Sequence, residues 1–261
     1  MKIEFKKVSK KYLLSHHQTL TVFDNLDLVI EDGSFVVIVG ESGCGKSTLL
    51  HLISGLTSPT DGSILADSQL IESTAPTRTI LFQHPSLLPW LTVEENIGFG
   101  CKLRGDTYKI AKRTRELVDL IGLNGFEKIH PPKLSIGMAQ RVCLARAFIS
   151  DPRVLLLDEP FASLDLTNRS RLQAKLIEIW QQQKFTAVLV THDLDEAVSL
   201  GQKVFFLGGH PATITSTIDI NLPYPRDAKS SSFFEAKRQV LEAFQNTITS
   251  VNQTRTSNDD G

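Results

Sequence analysis

FVVIVGESGCGKSTLLHLIS, residues 35–54, holds three patterns in a row. Phe35 to Val39 are continuously apolar, as in a strand buried on both faces. GESGCGKST, residues 40–48, then matches G-x-x-x-x-G-K-[ST] in full, and LLHLIS follows with helical spacing. Strand, glycine-rich loop and helix form the setting in which this pattern holds phosphate. The glycines let the backbone of Gly40, Glu41, Ser42, Gly43, Cys44 and Gly45 wrap an anion. The helix N-terminus at Lys46, Ser47 and Thr48 then faces the same charge. In such a loop the lysine, Lys46, reaches the β- and γ-phosphates and the hydroxyl of Ser47 binds Mg²⁺. Cys44 reads as a small loop residue that a thiol reagent would reach.

Outward from this stretch, other short apolar runs have the same character: TILF at 79–82, VLLLD at 154–158 and AVLV at 187–190. Helical patterns lie between them at 46–54, 108–121, 136–150 and 168–183. Buried strands alternating with helices imply a mostly parallel α/β sheet. Upstream, TVFDNLDLVI alternates at Val22, Leu26, Leu28 and Ile30 and reads as a half-buried strand. Residues 85–150 are mainly helical and fall between two core strands, as an inserted subdomain would. HPATITSTIDINLPYPRD reads as a strand with a proline-rich exit, residues 231–247 as an amphipathic helix, and VNQTRTSNDDG as a polar, frayed tail.

Composition narrows the classes. The 261 residues carry a net charge of −1 and 41% hydrophobic residues, enough for a real core. No long basic run suggests nucleic acid as the main partner. MKIEFKKVSKKY lacks the apolar centre of a signal peptide, and no apolar run approaches the roughly 20 residues of a membrane helix. Cys44, Cys101 and Cys143 are widely spaced, which argues against a disulfide framework or a zinc site and fits a reducing cytosol.

Two acids end the VLLLDEP strand, at the edge where ligands of open α/β sheets bind. Asp158 is placed to hold Mg²⁺ directly or through water, and Glu159 to act as general base on an attacking water. In LVTHDLDEA, Asp193 with Glu196 three residues on reads as a helix cap. His192 has no such structural use and is placed to hydrogen-bond a γ-phosphate.

In this order the motifs resemble the ATPase subunit of ATP-binding cassette (ABC) transporters, over almost the whole chain from about residue 3 to residue 226. LSIGMAQRVCLARA looks like the family's LSGGQ signature, ASLD at 162–165 like its D-loop, and THD like its switch histidine. Gln83 matches the Q-loop glutamine, which contacts Mg²⁺ and couples to the membrane subunits. Tyr12 lies where the family stacks an aromatic on adenine, or else simply packs at a strand end. FQHPSLLPWLTVEENI and LPYPRD further resemble the ATPases of nitrate, sulfonate and taurine importers.

The resemblance implies a P-loop NTPase (RecA-like) α/β core with a mostly parallel sheet, an N-terminal antiparallel β portion and the inserted helical subdomain at 85–150. The ATPase domain would span 1–230, with a C-terminal helix and tail at 231–261. It also implies ATP and Mg²⁺ as ligands and a head-to-tail dimer, most simply of two identical copies. Ser135 and Gly137 would then hold the γ-phosphate bound to the other copy. Such a subunit powers uptake of a small solute from the cytoplasmic face of the inner membrane. It works through an integral membrane permease and, indirectly, an extracytoplasmic solute-binding protein. The exposed LLPW stretch would dock the permease, or alternatively pack in the core. Rival readings are a non-transport cassette ATPase, a low-turnover nucleotide clamp suggested by the altered signature, and a small-molecule kinase, which leaves the signature and D-loop unexplained. Ile136 stands where the family has glycine. It either takes an ordinary helical backbone with its side chain pointing away, or intrudes and slows the enzyme.

Overall fold

The computed structural model describes residues 1–14, 18–105 and 110–256, with side chains through residue 249. The chain begins with β1 (Ile3–Leu13), β2 (Thr19–Ile30) and β3 (Phe35–Gly40), followed by α1 (Lys46–Ser54). Three further strands come next, β4 (Asp61–Ala66), β5 (Gln69–Leu70) and β6 (Arg78–Leu81). Then come α2 (Val93–Leu103), α3 (Ile110–Leu120) and α4 (Ile136–Phe148). The core resumes with β7 (Val154–Asp158), α5 (Leu166–Gln183), β8 (Thr186–Thr191) and α6 (Leu194–Leu200). It ends with β9 (Lys203–Gly208), β10 (Thr213–Asp219) and α7 (Ser231–Thr256).

These strands make two sheets. β2-β1-β4-β5 is antiparallel, and β10-β9-β3-β8-β7-β6 is parallel except at the β10 edge. β3, β7 and β8 are buried along their whole length, which explains their uninterrupted apolar sequences. Alternate residues of one strand serve different cores. Phe35, Val37 and Val39 pack with the α2–α7 side, whereas Val36 and Ile38 join α1 and the antiparallel sheet. Every parallel strand therefore ends at one shared edge, with helices or a second sheet shielding each face.

Element ends differ from the sequence reading in instructive ways. The described part of the 108–121 helix is α3, and residues 108 and 109 lie outside the described residues. α4 stops at Phe148 rather than 150, because Asp151 turns with φ 47 ahead of Pro152. α5 starts two residues early, where the Asp165 side chain accepts from Asn168 N. The tail is helical further than expected: α7 continues through Thr256 with no glycine or proline to stop it, and only 257–261 lie outside the described residues. No described helix is long and apolar enough to cross a membrane.

Candidate nucleotide site

The glycine-rich loop sits at the carboxyl end of β3, between the ends of β8 and β9. Gly45 is the N-cap of α1, with φ 103 and no side-chain capping bond. A Cβ there would lie 2.7 Å from Val22 Cγ1 of β2, so both the dihedral and the close approach require glycine. The first turn of α1 carries no acid. Lys46 is buried, and its Nζ donates to Gly40 O at 2.8 Å and Glu41 O at 2.9 Å. The ammonium is thereby folded over the loop it belongs to. Cys44 is also buried, and desolvation pushes its thiol pKa up against the opposing pull of Lys46. Cys44 is thus the small, buried loop residue expected, and its burial keeps the thiol from the surface where a reagent would meet it.

Asp158 closes β7 beside this loop. Burial raises its pKa, while a hydrogen bond with Ser47 works in the other direction. Ser47 and Asp158, two of the three residues expected at Mg²⁺, are therefore paired, while the third, Gln83, lies against Glu159.

Next in the chain, Glu159 takes φ 44, and its N–H donates to Val190 O at 3.0 Å. Its carboxylate gathers two partners from neighbouring strand ends. Gln83 Nε2, past β6, lies 3.4 Å from Oε2, and His192 Nδ1, past β8, lies 3.2 Å from Oε1. Loop, acids, glutamine and histidine thus meet along one sheet edge.

Asp193 caps α6 as expected, accepting from Asp195 N at 2.8 Å and Glu196 N at 3.3 Å, and pairs with Arg169 at 3.0 Å. Glu196 departs from the capping-box reading. Its carboxylate does not reach back to the cap but is buried and accepts from the Thr191 hydroxyl at 2.7 Å. Desolvation pushes it up to about 7. Glu196 shares a helix face with Leu200, four residues on and buried, and that spacing was the available signal.

Ser135 caps α4, its Oγ accepting from Met138 N at 3.2 Å. Ile136 opens the helix as its first helical residue and is 66% exposed. A Cβ on Gly137 would sit 3.1 Å from Leu164 Cδ2, so this glycine lets α4 press against the 162–165 loop. The contacts of Ser135 and Gly137 thus lie with Met138 and that loop, not with Lys46 or Glu159. Tyr12 also stays outside the cluster: it pairs with Leu20 of β2, and Lys10 Nζ lies 4.8 Å from its ring centroid.

Three supports escaped the sequence reading. Asn96, fully buried, holds the 88–92 turn through Leu88 N at 2.8 Å and the carbonyls of Leu88, Leu91 and Thr92. That turn leaves Trp90 69% exposed while Leu87 packs on the core, so the LLPW alternatives divide between its residues. Arg146 of α4 ties to Ser86 O at 2.9 Å and Ser86 Oγ at 3.0 Å, just past Gln83. In LPYPRD, Tyr224 donates to Leu200 O, and Arg226 donates to Val198 O and Gly201 O, clasping the end of α6.

A phosphate loop and an acidic strand end on the edge of a parallel sheet define a P-loop nucleotide-binding protein. The ABC transporter family model matches residues 23–162. The chain is 44% identical to the aliphatic sulfonates import ATP-binding protein SsuB of Bacillus cereus (strain ATCC 10987 / NRS 248), over 90% of this chain and 93% of that one. It is 42% identical to the nitrate import ATP-binding protein NrtD of Synechocystis sp. (strain ATCC 27184 / PCC 6803 / Kazusa), over 85% of this chain and 84% of that one. Among solved structures, the dimeric post-hydrolysis state of the ATP-binding cassette MJ0796 bound to ADP and Pi is similar, with TM-score 0.76 and 27% identity. That match covers 85% of this chain and all of the other. The chain belongs to the ABC transporter family, on the branch of the sulfonate and nitrate import ATP-binding proteins.

Proposed function

We propose that the chain hydrolyses ATP to power uptake of a small solute of the nitrate, sulfonate or taurine class through a separate membrane permease. The observation that carries this reading is Glu159 held between Gln83 and His192 beside Lys46, Ser47 and Asp158. The loop amides and Lys46 bind the phosphates, and Tyr12 stacks on the adenine. Glu159 takes a proton from water as its oxygen attacks the γ-phosphorus and the bond to the β-phosphate oxygen breaks, leaving ADP and phosphate. His192 donates to the γ-phosphate.

The donor set fits Mg²⁺, which takes hard oxygen ligands and leaves most positions to phosphate and water. The Ser47 hydroxyl and Asp158 carboxylate would hold it, with Gln83 alongside, and when bound it neutralises developing phosphate charge.

A second copy completes the site. Ser135 and Gly137 make their contacts away from their own chain's phosphate loop, so they serve a nucleotide bound to the partner. The dimeric state of the similar cassette supports this arrangement. α2 to α4 form an inserted helical subdomain, and the Gln83–Trp90 segment docks the permease at the cytoplasmic face of the membrane. An extracytoplasmic solute-binding protein delivers the cargo.

Replacing Glu159 with Gln tests the assignment. ATP binding should persist while turnover falls by about 100-fold or more, the scale of a lost general base, and the dimer should accumulate on size-exclusion chromatography. Turnover equal to the parent would sink the catalytic assignment.

A further inference from the structure

Among the described groups near the site, one buried carboxylate has no part in the chemistry above. Glu196 is 4% exposed, and the cap of α6 that its spacing suits is already made by Asp193. An unused buried carboxylate is costly, and an apolar residue would suit that place better. Its one strong bond is to Thr191, the last residue of β8, whose hydroxyl donates to Glu196 Oε2 at 2.7 Å. The same Thr191 oxygen accepts from Asp193 N at 3.0 Å. His192 is the residue between these two attachments. A single oxygen therefore pins the chain on both sides of the histidine, and Glu196 fixes where that oxygen sits.

The base of this support is tied at both ends. The far end of α6 is held by Arg226 and Tyr224, and its first turn by Arg169 on Asp193 and Lys237 on Asp195. Resting on the reading of His192 as the γ-phosphate ligand, we infer that Glu196 is a positioning residue for His192, acting through the Thr191 hydroxyl. It touches neither nucleotide nor water. Its work is to keep the imidazole within reach of Glu159 and the phosphate, a placement that tolerates little drift.

Three variants test this: Thr191→Val, Glu196→Ala and Glu196→Gln. Thr191→Val keeps the shape and removes both bonds of that oxygen, to Glu196 Oε2 and from Asp193 N, so it reports on the pin even if Glu196→Ala folds poorly. Thr191→Val and Glu196→Ala should lower kcat about tenfold with KM for ATP within about twofold, and the double variant should be no worse than either single. Glu196→Gln, whose carbonyl still accepts from Thr191, should restore most of kcat. In nucleotide-free protein, the His192 ring resonances should move in Thr191→Val and stay near their parent positions in Glu196→Gln. Unchanged His192 resonances and parent kcat in Thr191→Val would overturn the inference, as would losses that add in the double variant. The resonances do not depend on turnover, so they judge the positioning role even if Glu159→Gln shows that the hydrolysis reading is wrong.

Discussion

α1 and α2 start in opposite chemical styles. α2 seals itself: Thr92 accepts from Glu95 N, Glu95 reaches back to Thr92 N, and two acids, Glu94 and Glu95, fill its first turn. α1 has a glycine cap, no side-chain acceptor and no acid in its first turn. The free amides and the positive end of the helix dipole are left for something from outside. α4 is intermediate, with a neutral Ser135 cap and no acid. A helix start that seals itself satisfies the fold, whereas one left unsealed at a strand end is offered to an anion.

The largest effect expected from this contrast is at α1. Lys46→Ala removes the cation that complements the open loop, and ATP turnover should fall by about 100-fold or more with weakened nucleotide binding in titration calorimetry. Near-parent binding would show that the loop amides suffice alone. Next is Ser135→Asp, which keeps a competent cap but makes the α4 start like the sealed, acidic kind. Thermal stability should hold while ATPase drops about tenfold, since a negative charge now meets the partner's phosphate. Retained activity would remove α4 from the anion site. Thr92→Ala should do the reverse, costing about 1 kcal/mol in denaturant unfolding with ATPase unaltered. The smallest effect belongs to Ile136→Gly. With the parent side chain already directed to solvent, the rate should change by no more than about twofold. A large gain would mean that Ile136 obstructs dimer closure.

Much of this could be read from the sequence, because the decisive signals are local. A strand–glycine loop–helix succession, two acids at a strand end and a histidine after another strand all carry their meaning within a few residues. The unread part depends on contacts between distant segments. HDLDEA looks like a solvated cap, and only packing against the core shows that Glu196 is inside. LPYPRD marks a branch by resemblance, yet its role as a clasp on α6 needs the carbonyls of Val198, Leu200 and Gly201 to be in place. Arg146 reaches Ser86 across a gap of 60 residues, which no periodicity encodes. The C-terminal helix runs through Thr256 because polarity alone does not fray a helix, and no glycine or proline stops it there.

Asp158 and Glu159 are neighbours, and in a continuing strand their side chains would leave on opposite faces of the sheet. The left-handed backbone at Glu159 ends that alternation. One acid turns to Ser47 and the other to Gln83 and His192, so a single dihedral divides the labour of two adjacent carboxylates without sending either to the far side. A non-glycine residue holds that conformation at a cost of roughly 1 to 2 kcal/mol. The strands on either side of β7 are thus more than a scaffold. They keep a fork open in the chain that the peptide alone would close.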